Sequence, residues 1–190
     1  MGQLLAHLDY IDEAIATLST EIESRLAPFA DQLTRLDSIP GINRRTAEVI
    51  IAEVGVDMSV FPSAAHLASW AALCPGNNES AGKHKSGKTR KGNRWLRNAL
   101  IEAAAGASRA KDSALQARFR RVLRHRGPKK AVVALAHALL RIAYHVLAHG
   151  TTYRELGADY SDRRHTQRLT RRAIRLLEGQ GYRVTLEPAA

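Results

Sequence analysis

The sequence predicts an all-α protein in which a long N-terminal helix or coiled coil precedes a helical domain. Two observations predict this fold class. Apolar residues recur at steps of three and four in most segments, which is the spacing of one helix face. No segment alternates convincingly between apolar and polar residues, as a half-buried strand would. We expect a connector helix over residues 1–35, a helical domain over residues 36–178 and a tail over residues 179–190.

The connector helix is predicted because apolar residues keep this spacing for about four heptads. Pro28 falls within the series and is expected to kink or divide the helix, since proline lacks a backbone N–H. Such a helix can pair with a second copy as a coiled coil or pack on the core of its own chain, and the spacing is compatible with both. The series consists of Leu4, Leu8, Ile11, Ile15, Leu18, Ile22, Leu26, Phe29, Leu33 and Leu36.

Residues 36–55 predict two helices joined by a tight turn at Pro40-Gly41, with Asn43 as the N-cap of the second helix. This arrangement resembles the helix-hairpin-helix, a module that holds a DNA phosphate with the backbone N–H groups of its hairpin. The resemblance implies nucleic-acid contacts at Gly41, Asn43 and Arg44. It departs from the motif at Asn43, where a second glycine is usual, although asparagine tolerates the left-handed conformation. An ordinary αα-turn is the alternative.

Two helices that flank a long polar loop are predicted from their caps. Ser63 is the expected N-cap of the first helix, and Asn93 is that of the second. Trp70 and Trp95 follow the apolar spacing of these helices and are expected to lie in the core, with stacking on nucleic-acid bases as the alternative. Residues 74–92, the basic loop, are rich in Gly, Asn, Ser and Lys and are expected to lack regular structure.

The C-terminal part of the domain is predicted to contain a central helix between two basic ones. A basic helix is expected over residues 113–126, and Pro128 suits the first position of the next helix. That helix is apolar nearly all round over residues 131–148, which is typical of a buried position. We expect a helical turn at residues 151–157, a basic helix at 163–177, and a tail with at most one short strand at 182–190.

The net charge of +11 is distributed unevenly along the chain. Residues 1–80 carry four Lys and Arg against eleven Asp and Glu, a net charge of −7. Residues 81–190 carry the remaining 25 against seven, a net charge of +18. A basic region of this kind favours a polyanionic partner, and nucleic acid in particular. A solvated surface without a ligand is the alternative.

Several kinds of site are excluded or not expected. Cys74 is the only cysteine, so neither an internal disulfide nor a cysteine-based zinc site can form. His145 and His149 have the i, i+4 spacing of metal ligands, but no third ligand is evident and we expect no metal site. The first residues have no signal-peptide pattern, and no uninterrupted apolar stretch reaches the length of a membrane span. We expect a cytoplasmic protein without membrane association.

The basic loop contains GKHKSGKT, residues 82–89, which fits the phosphate-loop pattern of nucleotide hydrolases. In nucleotide hydrolases the phosphate loop follows a buried strand and leads directly into a helix. In this sequence a Pro-Gly-Asn-Asn stretch precedes residues 82–89, and the next helix begins only after Asn93. Nucleotide hydrolysis is therefore not expected. The loop and the following helix instead predict contacts to nucleic-acid phosphates. The cations are Lys83, Lys85, Lys88, Arg90, Lys91, Arg94 and Arg97.

Residues 36–55 and 61–104 together resemble the C-terminal transposase half of the IS-one-ten insertion-sequence family, whose members are RNA-guided DNA recombinases. The resemblance covers about residues 36–147. It implies a catalytic serine at Ser80, within the P-x-x-x-x-S-x-G pattern of residues 75–82, which attacks a DNA phosphodiester and forms a covalent protein–DNA intermediate. Family members often have glycine directly after this serine, and here Ala81 intervenes. Ser86, which Gly87 follows directly, is therefore a second candidate.

The resemblance also implies partners and missing parts. An upstream RuvC-like domain in the family holds divalent metal with four acidic residues, and this chain has no room for it. We therefore expect no cofactor in this chain, which would be an engineered fragment or a truncated reading frame that is inactive alone. Residues 1–35 would be the connecting coiled coil and would form a homodimer or higher oligomer. Asn93 would close the active-site loop as a helix cap and contact nucleic acid, and the basic helix at 163–177 would contact guide RNA or DNA.

Three functions are compatible with these features. The leading one is the DNA-binding, catalytic-serine half of a bacterial transposase, acting in the cytoplasm at the nucleoid. The second is a non-catalytic helix-hairpin-helix module that binds DNA or RNA and dimerises through a coiled coil. The third is a coiled-coil interaction protein, which suits the acidic residues 1–80 but not the net charge of +18 that follows.

Overall fold

The computed structural model describes residues 2–76 and 78–186, together with their side chains except those of Asn78, His84 and Lys85. Helices dominate the described residues, which confirms the predicted all-α class. The helices are α1 (Gly2–Leu26), α2 (Ala30–Asp37), α3 (Arg44–Val54), α4 (Ala64–Trp70), α5 (Arg94–Ala107), α6 (Ala114–Arg126), α7 (Pro128–His149) and α8 (Tyr160–Glu178). Two short strands, β1 (Asn78–Ser80) and β2 (Lys83–Ser86), form an antiparallel hairpin.

The core is built around α7, which packs against α2, α4, α5 and α6. Leu135, Leu139 and Leu140 of α7 are fully buried, and Leu96 and Leu100 of α5 are buried as well. Burial of a leucine side chain contributes about 1.5–3 kcal/mol. By length and composition α7 is also able to cross a membrane, yet its most apolar part is 44% buried within this fold.

The predicted connector is divided at Pro28, where a short 3-10 turn, Ala27–Phe29, separates α1 from α2. In α2, Leu33 and Leu36 are buried in the core. In α1 no residue is buried, so its apolar residues form an exposed stripe. A hydrogen bond from Arg45 of α3 to the hydroxyl of Ser19 joins α1 to the domain. Packing on the core of the same chain therefore applies to α2, whereas α1 is exposed and its pairing with a second copy stays a prediction.

The predicted caps are confirmed. Asn43, Ser63 and Asn93 each accept a hydrogen bond from the backbone N–H three residues later, at the start of α3, α4 and α5. A side-chain oxygen at this position satisfies one of the free N–H groups of the first helical turn. Pro128 occupies the first turn of α7, directly after Gly127 with its positive φ of 76°.

Three local predictions were wrong, and the prediction for the tail falls partly outside the described residues. The basic loop contains the β1–β2 hairpin, and residues 151–157 are not helical. Trp70 and Trp95 are 50% and 70% exposed, because the buried face of each helix is made by smaller residues such as Leu67 and Leu96. Residues 182–186 form no strand, and residues 187–190 lie outside the described part of the chain.

Candidate nucleic-acid interface

Ser80 lies at the tip of the β1–β2 hairpin. It ends β1, and Ala81 and Gly82 form the two-residue turn, with φ values of 51° and 73°. Two successive residues with positive φ are the requirement of a type I′ turn, whose twist matches that of the flanking strands. The Ala-Gly pair that departs from the usual family pattern therefore builds a tight hairpin. The turn presents Ser80 to solvent, since the residue is exposed.

Lys83 is the cross-strand partner of Ser80 in the hairpin register. Directly opposite residues of an antiparallel pair have Cβ atoms about 4.5–5.5 Å apart on the same face. A phosphate that approaches the hydroxyl of Ser80 is therefore within reach of an ammonium group. Within the described structure, the hydroxyl of Ser80 makes no hydrogen bond. Its oxygen is thus accessible to a ligand.

Ser86 occupies a different place, at the base of the hairpin. Its hydroxyl accepts a hydrogen bond from the backbone N–H of Lys88 at 3.2 Å. This is the local turn geometry that serine commonly adopts outside regular structure. The two candidate serines are therefore distinguished by their surroundings: Ser80 is presented at a tip, whereas Ser86 helps to close a turn.

The base of the basic loop is held by two glycines at close backbone contacts. A Cβ atom at Gly76 would lie 2.4 Å from the carbonyl oxygen of Lys88, so the two ends of the loop meet there. A Cβ atom at Gly92 would lie 2.7 Å from the carbonyl oxygen of Ala71, after the end of α4. Both distances are too short for any side chain, which explains why glycine occupies these positions.

Three of the predicted phosphate contacts instead anchor the loop to the helices. Arg90 donates to the carbonyl and hydroxyl oxygens of Ser69, both at 3.2 Å. Arg97 donates to the hydroxyl of Thr89 at 3.0 Å. The amide nitrogen of Asn93 donates to the carboxylate of Glu53 in α3, while its amide oxygen accepts from Leu96 N at 3.0 Å. These side chains position the loop and are only partly available to a ligand.

The remaining cations of the basic loop are directed to solvent. Lys83, Lys88, Lys91 and Arg94 are exposed, and none of them has an ion-pair partner among the described residues. The side chain of Lys85 lies outside the described structure. The predicted set therefore divides into a group that positions the loop and a group that is accessible to phosphates.

The turn between α2 and α3 faces the core on one side. Gly41 has a φ of 88°, and a Cβ atom there would lie 2.3 Å from the carbonyl oxygen of Ala103 in α5. Ile42 is buried, while Asn43 and Arg44 are exposed. Asn43 itself has a φ of −99°, the extended conformation of an N-cap residue. The positive φ of this turn is at Gly41 instead.

Arg44 is already paired within α3. Its guanidinium lies 3.0 Å from one carboxylate oxygen of Glu48, and that of Arg45 lies 3.0 Å from the other. The Glu48 side chain is only 8% exposed, whereas that of Arg44 is 54% exposed. Arg44 can therefore contact a ligand with the donors that Glu48 does not use. Spacing identifies this pair, since arginine and glutamate four residues apart on a helix are neighbours.

The sequence did not indicate two features of this region. Trp95 lies in the first turn of α5 beside Arg94 and is 70% exposed, so an aromatic surface adjoins the basic loop. Glu53 holds the cap of α5 from a position 40 residues earlier in the chain. Neither the exposure of a tryptophan nor a hydrogen bond over that separation leaves a local pattern.

Comparison with known proteins identifies the region that carries this hairpin. Residues 33–120 match the family described as Transposase IS116/IS110/IS902. These residues are therefore similar to a transposase-family domain. The domain begins in α2, contains the basic loop and ends in α6, so it holds Ser80 and all the cations discussed above.

Curated relatives agree with this assignment. The chain is 32% identical over 153 residues to the insertion element IS110 uncharacterized 43.6 kDa protein of Streptomyces coelicolor, covering 79% of this chain and 37% of that protein. It is 30% identical over 147 residues to the transposase for insertion sequence element IS1111A of Coxiella burnetii, covering 75% of this chain and 40% of that protein. It is 34% identical over 116 residues to the pilin gene-inverting protein of Moraxella bovis, covering 59% of this chain and 35% of that protein. The chain thus spans about two fifths or less of each relative.

Proposed function

We propose that this chain is the DNA-binding, catalytic-serine part of a transposase that cleaves and rejoins DNA strands. The observation that carries the proposal is the position of Ser80, exposed at a hairpin tip opposite Lys83, inside a transposase-family domain. Two relatives are named for DNA rearrangement, one as a transposase and one as a gene-inverting protein.

In the proposed step, the hydroxyl oxygen of Ser80 attacks a phosphodiester. An Oγ–P bond forms while one P–O bond of the strand breaks, so the strand becomes attached to the protein. The hydroxyl proton passes to a base, and the departing sugar oxygen takes up a proton. Another sugar hydroxyl then attacks the phosphorus atom, which breaks the Oγ–P bond and joins the strand to that sugar. No water is consumed, and the number of phosphodiester bonds is conserved.

The cations support this step electrostatically. A phosphoryl group gains negative charge in its transition state, and fixed cations near that charge lower the barrier. Lys83 is the cation closest to Ser80 by register, and Lys88, Lys91 and Arg94 extend the positive surface along neighbouring phosphates. Such contacts bind the backbone without reading sequence.

The divalent metal of the proposed complete transposase is assigned to its RuvC-like half rather than to this chain. Among the described residues, no group of three or more His, Cys, Asp or Glu side chains is placed to hold a metal ion. No step of the proposal passes through a metal.

We further propose that α1 assembles the protein as a homodimer or higher oligomer. Its apolar residues are exposed, including Leu4 at 70%, Leu8 at 57% and Leu18 at 58%. A stripe of this kind costs free energy in water unless another helix covers it. Guide RNA is a second proposed partner, and the bacterial nucleoid is the proposed place of action.

A non-catalytic helix-hairpin-helix module is the alternative function, and the exposed Asn43 and Arg44 at the start of α3 favour it. Against it, the glycine of the turn packs on α5, which leaves less backbone for a phosphate. Both functions include DNA binding. They differ only in strand chemistry, so a covalent intermediate separates them.

The test is a denaturing gel that detects a covalent adduct between the protein and labelled DNA. The complete transposase that carries this chain is incubated with donor DNA, target DNA and guide RNA. We expect an adduct with the natural sequence and with Ser86→Ala, and none with Ser80→Ala. The Ser86 variant is the matched control because both serines lie on the same hairpin.

Other outcomes would contradict parts of the proposal. An adduct that persists in Ser80→Ala and is lost in Ser86→Ala would assign the nucleophile to the base of the hairpin. Absence of an adduct in every version, with DNA binding retained, would replace the catalytic function by the binding module.

A further inference from the structure

A cleft of about 1130 Å³ lies on a different side of the fold from the basic loop. It is formed by α6, α7, residues 151–157 and the first half of α8, none of which includes a residue of the β1–β2 hairpin. We call it the basic cleft, because its lining contains six arginines and three histidines against a single aspartate. The basic side chains are Arg118, Arg121, Arg141, His145, His149, Arg154, Arg164, His165 and Arg168.

The walls of the basic cleft are fixed to one another by specific contacts. Arg121 of α6 forms an ion pair with Asp162 of α8, with 2.7 Å between the two charged atoms. The carboxylate of Glu155 accepts a hydrogen bond from the N–H of Ala114, at the start of α6, at 2.8 Å. The N–H of Tyr153 donates to the hydroxyl of Ser38 at 2.8 Å. The cleft is therefore a built feature and not a gap between loose segments.

Basic side chains follow one face of α7 in a row. His137, Arg141, His145 and His149 are spaced by four residues, so they lie on the same face of the helix. Each step of four residues advances about 6 Å along the helix axis. Arg118 of α6 stands beside this row, since it interacts electrostatically with Arg141 and His137. Arg118 and Arg141 carry permanent charges and the imidazoles add hydrogen-bond donors, so the row suits an extended polyanion better than a single small ion.

The positive charge of the basic cleft is not neutralised by the protein. Within the part of the chain that the structure describes, only Arg121 among the lining arginines has an ion-pair partner. Arg118 keeps some exposure, but desolvation and then the charges of Arg141 and Arg121 lower its pKa. Burial, Arg141 and Arg118 lower the pKa of His137 in the same way. Arg118 and Arg141 repel each other, and a bound polyanion would offset that repulsion.

Aromatic side chains accompany the cations. Tyr153 and Tyr160 line the basic cleft, and the imidazole rings of His145 and His149 are stacked with centroids 5.7 Å apart. Unpaired bases stack on such rings, whereas the bases of a duplex are already stacked on one another. Cations that follow a backbone together with aromatic platforms are the pattern of a single-strand site.

We propose that the basic cleft binds a single-stranded segment of nucleic acid through its phosphodiester backbone, as a second site separate from the basic loop. This inference deepens the proposed function, because it rests on a nucleic-acid partner and assigns one strand a place of its own. It does not require Ser80 to react. Single-stranded RNA and single-stranded DNA share the chemistry that the cleft recognises, and the experiment distinguishes them.

The experiment measures the binding of labelled oligo-uridylate, oligo-thymidylate and a DNA duplex to the full chain by fluorescence anisotropy over a range of salt concentrations. The test variant is Arg118→Ala/Arg141→Ala. The matched control is Arg120→Ala/Arg124→Ala, which removes the same charge from exposed positions of α6 outside the cleft. A second reference, Lys83→Ala/Lys88→Ala, tests the basic loop.

We expect the cleft variant to bind single strands about tenfold more weakly, and its salt dependence to fall by about 1.4 log units per log unit of salt, since each single-strand phosphate contact contributes about 0.7. The control on α6 should bind nearly as the natural sequence does. A loss with oligo-uridylate, with oligo-thymidylate or with both supports the proposal and identifies the strand. Equal losses in the cleft variant and the α6 control would overturn it, as would a loss confined to the duplex.

Thermal unfolding without nucleic acid distinguishes a binding role of Arg118 and Arg141 from a structural one. The melting temperature of Arg118→Ala/Arg141→Ala should stay the same or rise, because two mutually repelling cations are removed. A marked fall would show that these guanidiniums serve the fold and would overturn the proposal. The two proposals can fail independently. If no covalent adduct forms at Ser80 but the cleft binds single strands, only the catalytic proposal is contradicted. If the adduct forms but Arg118→Ala/Arg141→Ala binds single strands as the natural sequence does, only the cleft proposal is contradicted.

Discussion

At the scale of single residues, Gly41 shows how little space the fold leaves between the α2–α3 turn and α5. A Cβ atom at this position would lie 2.6 Å from the backbone nitrogen of Ala107 and 2.3 Å from the carbonyl oxygen of Ala103, and its φ is 88°. We predict that Gly41→Ala lowers the free energy of unfolding by about 2–5 kcal/mol, from backbone strain together with overpacking. Urea denaturation of the purified chain measures this change.

Gly55→Ala is the matched control for this substitution. Gly55 has a φ of 79°, but nothing lies within 4 Å of the Cβ position. It should therefore show only the backbone cost of its conformation, with φ 79° and ψ −178°, which is about 1–3 kcal/mol for a residue other than glycine. Equal effects at the two glycines would mean that contact with α5 is not what requires glycine at position 41.

At the scale of elements, residues 151–157 are held against α6 by one carboxylate. Partial burial alone would raise the pKa of Glu155, but the hydrogen bonds that it accepts outweigh burial and hold that pKa below its ordinary value. Burial raises the pKa of Tyr153, and its hydrogen bond to the negatively charged Glu155 raises it further. The donors to Glu155 are the N–H groups of Ala114, Gly157 and Leu156 and the hydroxyl of Tyr153.

The sign of the pH dependence follows from this lowered pKa. A carboxylate with a lower pKa in the folded state stabilises the fold above its unfolded-state pKa of about 4.3, and this contribution is lost as the pH falls through the folded-state value. We predict that Glu155→Gln is less stable than the natural sequence at pH 7 and that the difference disappears toward pH 3. Chemical denaturation at both pH values measures it. Glu102→Gln, an exposed change on α5, should leave the pH dependence unaltered.

At the scale of the whole molecule, α1 is a long helix whose apolar stripe has no partner among the described residues. None of its residues is buried, whereas most helical stability in proteins comes from packing of an apolar face. We predict that the natural chain is a dimer or larger assembly and that Leu8→Glu/Ile15→Glu converts it to a monomer. Analytical ultracentrifugation measures the mass of each form.

A control on the polar side of α1 completes this test. Glu13→Gln/Glu23→Gln changes two charges of the helix and leaves the apolar stripe intact, so the assembly should persist. The melting temperature of the domain should change little in the Leu8 and Ile15 variant, because the core begins at α2. A natural chain that sediments as a monomer would contradict the oligomer proposal.

Much of the helical fold could be predicted because its causes are local in the chain. Asn43, Ser63 and Asn93 cap helices through a backbone N–H only three residues away, and Pro128 opens α7 by its own geometry. The spacing of apolar residues likewise requires only that each helix has one buried face. Such short-range signals are complete in the sequence.

Only the tertiary structure decides which cations anchor the basic loop and which remain accessible to a ligand. In the sequence Arg90 and Arg97 look like Lys83 and Lys88, yet the arginines bond to Ser69 and Thr89 while the lysines remain accessible. The exposure of Trp95 and the basic cleft have the same origin. Each depends on which helices become neighbours, and that is set by contacts such as those between residues 21 and 115 positions apart. No local pattern in the sequence records such contacts.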